Sequence, residues 1–351
     1  MPTLAIQYLE SNPVIADLTP TEVREKLRAA FDLLPLDMVL VGWLLPDKLL
    51  NVVVDECQQA GADLYRWHLL LTGDGVLNPP PEWQVIGLNG RPVPGFKGMP
   101  EFTFMCPNRP AVQEAVLSHL QDRLADDRYT GLFLDRIRWP SPAENLDAAL
   151  GCFCPDCQRV AAASGLNLIA VRQHIANLTA TRSGLEQFMA ALLNPAAIDQ
   201  TAANSDLKVF TEFLDWRRDR ITGFVGQATQ VIRKGGKSVG LDCFTLALTG
   251  MVGQDLRALN AHGDWIKPMI YGHTYSPAGI VYELSGLADW LIDRHQMAET
   301  EAMALLVPPT SLYRTTAPVY ALTDYQRRAS SGKRYAGCMM ASHKNWSELS
   351  W

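Results

Sequence analysis

Three cysteines stand at Cys152-Phe153-Cys154-Pro155-Asp156-Cys157, a spacing that fits one turn and brings three thiols to one point. Thiolate sulfur in such a group suits zinc, which takes four ligands in a tetrahedron. A fourth ligand then has to come from elsewhere. Cys106, in Phe104-Met105-Cys106-Pro107-Asn108-Arg109-Pro110, is the candidate, because its loop is expected to face the same end of the molecule. Four thiolates saturate the ion, so the zinc expected here is structural and does not touch substrate. The competing reading is three reduced thiols without metal. Just upstream, the apolar run Gly131-Leu132-Phe133-Leu134 ends abruptly in Asp135, with Arg136 and Arg138 after it. A carboxylate at the C-terminal end of a buried parallel strand lies where α/β folds collect their chemistry. The plainer alternative is an Asp135–Arg138 ion pair closing the strand end. Asp242, late in Ser238-Val239-Gly240-Leu241-Asp242-Cys243, is a second carboxylate of the same kind, with a strand-end cap as its alternative.

These residues need elements to position them. Eight apolar runs read as strands, at about 4–9, 38–43, 63–71, 131–135, 238–244, 264–271, 302–307 and 335–342. Helix-sized material separates them. Thr19-Pro20-Thr21-Glu22 carries cap and first-turn signals for a helix to about Leu34. Further helices are expected over 46–59, 111–125, 255–261, 279–297 and 316–330. Alternation of β and α implies a parallel sheet, and eight units suggest an α/β fold closed into a (β/α)8 TIM barrel. The barrel is read as one domain, 1–351. A long Gly- and Pro-rich loop, 73–110, follows strand three, and a helical insertion at about 158–233 follows strand four.

The two cysteine segments resemble the zinc-binding segments of the family 42 glycoside hydrolases, β-galactosidases on a (β/α)8 barrel. That family carries Cys-Pro-Asn-x-Pro and, after strand four, Cys-x-Cys-x-x-Cys. Cys106-Pro107-Asn108-Arg109-Pro110 and Cys152/Cys154/Cys157 match them at similar separation, over about 102–158. The family's acid/base pair, Asn-Glu at the end of strand four, is replaced by Leu134-Asp135, and Glu144-Asn145 follows only in the next loop. Its strand-seven Glu nucleophile has no counterpart in Leu306-Val307-Pro308. The Leu-Asp-x-Ile-Arg-x-Pro stretch is also similar to strand four of other glycosidase-like barrels, some with Asp there as nucleophile. The resemblance therefore implies the barrel, the zinc and a carbohydrate substrate.

Glycosidic hydrolysis uses two carboxyl groups, one ionised and one protonated. Asp135 is assigned nucleophile or base, held ionised by Arg138, and Asp242 proton donor. Substrate contacts are expected from Trp43, Trp67, His68, Arg138, Lys267 and Tyr271, since aromatic faces at strand ends can stack on sugar C–H groups. Trp139, His273 and His343 lie at similar places. On strand three Tyr65 and Trp67 share one face, and Arg66 and His68 point the other way. The alternative is a barrel that binds carbohydrate or serves structure without hydrolysis. A metal-dependent hydrolase using His and Asp at strand ends is a third reading, against which the lack of His-x-His on strand one counts.

Bulk properties narrow the partners. The 351 residues are 48% hydrophobic and 19% charged, which suits a folded core. The formal net charge is -6, with no basic run, so no nucleic-acid partner is expected. No stretch reaches the apolar length of a membrane span, and no signal peptide is read at the N-terminus, so a cytoplasmic location is expected. Seven cysteines are then thiols or ligands, not disulfides. Cys57, Cys243 and Cys338 read as buried thiols, and a homo-oligomer is left open. No phosphate-binding glycine loop, His-Glu-x-x-His helix or Gly-x-Ser-x-Gly elbow occurs.

Overall fold

A computed structural model describes residues 4–10, 12–96, 99–143, 145–193, 204–271 and 275–306. Six parallel strands form one sheet among them, in sequential order: β1 Ala5–Tyr8, β2 Met38–Val41, β3 Asp63–Leu69, β4 Gly131–Asp135, β5 Ser238–Cys243 and β6 Trp265–Pro268. Helices α1 (Asn12–Asp17) and α2 (Pro20–Leu33) follow β1, α3 (Asp47–Ala60) follows β2, and α4 (Pro110–Leu124) precedes β4. After β4 come α5 (Leu146–Ala149), α6 (Pro155–Ala163), α7 (Leu168–Thr179), α8 (Arg182–Leu193) and the long α9 (Ser205–Lys234). Helix α10 (Leu256–Asn260) lies between β5 and β6, and α11 (Ile280–His295) and α12 (Glu299–Leu306) come after β6. By compactness the chain divides into residues 1–283 and 284–351.

Local chemistry explains most of these elements. Thr19 and Glu22 form a reciprocal capping box, each side chain accepting the other's backbone N–H (3.3 and 2.8 Å), and Pro20 opens α2. Helix α3 ends where Gly61 turns left-handed at φ 69°. The outer face of β1–β3 is aliphatic: Val39, Val41 and Leu64 pack with Val23 and Leu27 of α2 and Val53 and Cys57 of α3. The insertion expected after strand four is helical, with Phe213, Trp216, Ile221 and Phe224 of α9 buried.

The inner face is aromatic, and it shows that the sheet curls. In a flat sheet β3 and β6 would stand about 14 Å apart, three strand spacings. Yet the Tyr65 and Trp265 rings meet edge-on at 5.3 Å, and Phe133 of β4 stacks on Trp265 at 5.2 Å. Two glycines permit this. A Cβ on Gly240 would lie 2.2 Å from the Trp265 ring, and one on Gly131 would lie 2.5 Å from Tyr65.

One expectation changes. Residues 302–307 were expected as strand seven but lie in helix α12 up to Leu306, whose first turn holds Glu299 and Glu301, favourable at a helix N-terminus. Strand eight and the helix at 316–330 lie outside the described residues. Among the described residues the sheet is thus an arc of six strands with β1 and β6 at its ends, and the expected ring of eight is not seen there.

Gly240→Ala should lower stability by about 1–3 kcal/mol, the usual cost of overpacking a filled core. Urea unfolding would read it, and an unchanged midpoint would contradict the close approach of Trp265.

Candidate functional site

Registry carries Asp135 and Asp242 to the same place. Leu134 pairs with Leu241, so one step further along both strands Asp135 and Asp242 stand abreast at the C-terminal end of the sheet. Side chains alternate along a strand, so both share the inner face with Phe133 and Gly240. Asp242 pairs in register with Lys267 of β6. The Lys267 ammonium donates to Asp242 Oδ1 at 2.9 Å and to the Tyr271 hydroxyl at 3.1 Å. Trp67 Nε1 donates to Asp135 Oδ2 at 3.1 Å, and the Arg136 backbone N–H donates to Asp135 Oδ1. Trp43 meets the edge of Trp67, ring centroids 5.5 Å apart.

Burial, then the charge of Asp135, push the Asp242 carboxyl up to about 8. Its Oδ2 is buried without a hydrogen-bond partner. Burial works against the Lys267 charge, but Asp242 outweighs it and the ammonium is held upward. Tyr271 is raised by burial. Arg136, directly after Asp135, adopts φ 54°, a left-handed conformation costly for a side chain with a Cβ. Its guanidinium is fixed by the Thr72 hydroxyl at 2.8 Å, by the Glu101 carbonyl and by the Phe102 ring at 4.2 Å.

The remaining sequence candidates sit elsewhere. Arg138 makes no ion pair with Asp135. Its guanidinium lies between the Phe104 and Phe244 rings (4.8 and 4.6 Å) and donates to the Trp139 carbonyl. Trp139 is fully buried and gives its N–H to the Arg217 carbonyl, so it is core and not a sugar platform. His68, expected to touch substrate, projects behind the sheet and is 1% exposed. Burial pushes it down to about 3, so it is not a base near neutral pH. Asn145 caps α5 through Ala148 N–H, while Glu144, His273 and His343 lie outside the described residues.

The four cysteines converge. Cys106, Cys152, Cys154 and Cys157 are buried, with all four sulfurs within 4.8 Å of one another. Cys106 Sγ is 3.7 Å from Cys154 Sγ and 3.4 Å from Cys157 Sγ. Four sulfurs about 2.3 Å from a tetrahedral zinc would be separated by about 3.8 Å. The surroundings are built for negative sulfur. Ile86 N–H donates to Cys152 (3.3 Å), Asn108 Nδ2 to Cys157 (3.3 Å) and Cys157 N–H to Cys154 (3.4 Å). Burial pushes Cys106 and Cys157 well up, so their thiols would stay protonated without a cation. Arg217 of α9 is fully buried with no carboxylate partner among the described residues, and its guanidinium donates to the carbonyls of Gly151 (3.0 Å), Met251 (2.7 Å) and Ala149. Burial pushes it down to about 9, with Cys152 and Cys157 acting to keep it charged. Sequence reasoning missed Arg217 and Asn108. Asn108 could have been found from its place in the Cys106 segment, but nothing in sequence distinguishes Arg217 from the other arginines of α9. Cys57 and Cys243 are buried thiols, as expected.

Neither a family model nor a curated protein matches this chain. Solved structures similar to it include the PgaB (BpsB) glycoside hydrolase domain from Bordetella bronchiseptica, 13% identical with TM-score 0.49 over 84% of this chain and 82% of that one. A β-galactosidase from the psychrophilic Marinomonas ef1 is 14% identical with TM-score 0.47, over 83% and 46%. The catalytic domain of a β-amylase from Paenibacillus polymyxa is 10% identical with TM-score 0.44, over 84% and 83%. This chain thus spans about half the length of that β-galactosidase.

Proposed function

We propose that this chain is a glycoside hydrolase whose two carboxyl groups are Asp135 and Asp242, with a structural zinc held by Cys106, Cys152, Cys154 and Cys157. The observation that carries the reading is the pairing of Asp135 and Asp242 on neighbouring strands of one inner face, with opposite hydrogen-bond environments. Asp135 receives N–H donors on both oxygens, which suits a carboxylate. Asp242 is raised toward the neutral acid, and its unpartnered Oδ2 is the atom left to carry the proton. Neighbouring strands about 4.8 Å apart favour the short carboxyl separation of a retaining mechanism over the wider gap of an inverting one.

Asp135 would attack the anomeric carbon while Asp242 protonates the departing oxygen. Trp67 aims Asp135 through its indole N–H, so its role is positioning as well as wall. Lys267 holds Asp242 Oδ1 while its ammonium also donates to the Tyr271 hydroxyl, and Oδ2 is left free. Zinc would supply only cross-linking, fastening the loop that carries Cys106 to the start of α6. The thiolate charge is offset by the buried Arg217. A second reading, binding without hydrolysis, is favoured by the Lys267–Asp242 contact, which also suits a fixed ion pair.

A panel of nitrophenyl glycosides separates the two readings. Turnover should be present in the native chain and absent from Asp135→Asn, whereas binding without turnover in both would leave the second reading. Asp242→Asn should lose about 10²–10⁴-fold on sugars with poor leaving groups, the usual worth of a general acid, and far less on nitrophenyl substrates.

The pH profile follows from the raised carboxyl. Asp242 holds its proton below about 8 and loses it above, so activity should fall as pH rises through that value. The basic limb should vanish in Asp242→Asn, and one that persists would assign the titration to another group.

Purified protein should contain bound zinc that Cys157→Ser loses together with several degrees of melting temperature. Less than about a tenth of an equivalent in the native chain would reject the thiolate centre.

A further inference from the structure

A second group of ligand-type side chains lies behind β3, on the face opposite Asp135. His68 of β3, Asp74 of the following loop and His119 of α4 each bring one ligand atom to within 4.8 Å of the others, and all three are buried. His119 Nε2 is 2.8 Å from Asp74 Oδ2. The two imidazoles lie with centroids 5.4 Å apart, tilted 38°. Asp74 Oδ1 is held by the Val76 and Leu77 N–H groups at 3.0 and 2.9 Å, which fixes Oδ2 toward His119. His68 is 1% exposed, yet neither of its ring nitrogens has a hydrogen-bond partner. Two groups are thus oriented as ligands, and beside them is a buried lone pair with nothing to receive it.

We propose that His68, Asp74 and His119 bind a divalent first-row transition metal, at a site separate from the cysteine centre. The ion would take the place of the proton between His119 and Asp74 and accept the free lone pair of His68. Two cations face the cluster. Arg123 of α4 brings Nη2 to 3.7 Å from Asp74 Oδ2, and Arg66 of β3 acts on His68 through its charge. Their repulsion disfavours ions held by charge alone, such as Mg2+ and Ca2+. Two neutral imidazoles and one carboxylate favour Zn2+, Co2+ or Ni2+. The ion would pin the loop after β3 to α4, and that loop carries Thr72, the hydroxyl that holds Arg136 beside Asp135.

Cobalt(II) titration of the full chain, first stripped with a chelator, tests this site apart from the cysteines. Thiolate-bound cobalt absorbs intensely in the near ultraviolet by charge transfer, whereas cobalt on imidazole and carboxylate gives only weak visible bands. About two equivalents should bind, one of each spectral kind. His68→Leu replaces an imidazole without partners by an apolar side chain of similar size, so the fold should hold while the weak-band equivalent is lost and the thiolate bands remain. His119→Gln should do the same. Weak bands without thiolate bands would remove the cysteine reading and leave this one standing. Thiolate bands alone, or two equivalents retained in both variants, would overturn it.

Discussion

Two carboxyl groups placed abreast in a buried setting cannot both ionise cheaply, and the site follows from that constraint. Charge on one raises the cost of charge on the other, and low dielectric magnifies the effect. The protein resolves the conflict unequally. Asp135 receives the indole N–H of Trp67 on one oxygen and the backbone N–H of Arg136 on the other. Asp242 has one oxygen on Lys267 and the other bare. Under the proposed function, such divergence would separate the nucleophile from the acid.

The neighbourhood that sustains this arrangement is aromatic. Phe133, Tyr65, Trp67 and Trp265 fill the inner face below the two acids and keep water from their lower side. They fit only because Gly131 and Gly240 leave gaps where side chains would otherwise stand. Above the acids, Arg136 takes a strained backbone conformation while Thr72, Glu101 and Phe102 hold its guanidinium. That strain sits one residue from Asp135, where a fixed loop direction matters most.

The cysteine cluster answers a different charge problem. A zinc ion with four thiolates would carry two negative charges inside the protein, which is tolerable only among donors and cations. Backbone N–H groups, Asn108 and the buried Arg217 provide them. Arg217 is a buried charge without a carboxylate partner among the described residues, and thiolates at Cys152 and Cys157 would supply its counter-charge.

Much of this was written in local sequence. The run 131–135 is short, apolar and opened by Gly131, so β4 and the placement of Asp135 at its end follow from pattern alone. The caps of α2 and α3 and the ligand spacing of 152–157 are equally local. Period-two alternation even puts His68 behind the sheet. Residues 302–307 misled because a short apolar run fits a strand and a buried helix turn alike, and only packing chooses between them. Tertiary structure alone decided that Asp135 stands beside Asp242, that Arg217 reaches the cysteines and that Asp74 meets His119. Those pairs are separated by 107, 60 to 111 and 45 positions in the chain. Local propensity carries no information across such spans, whereas strand register and the curl of the sheet do.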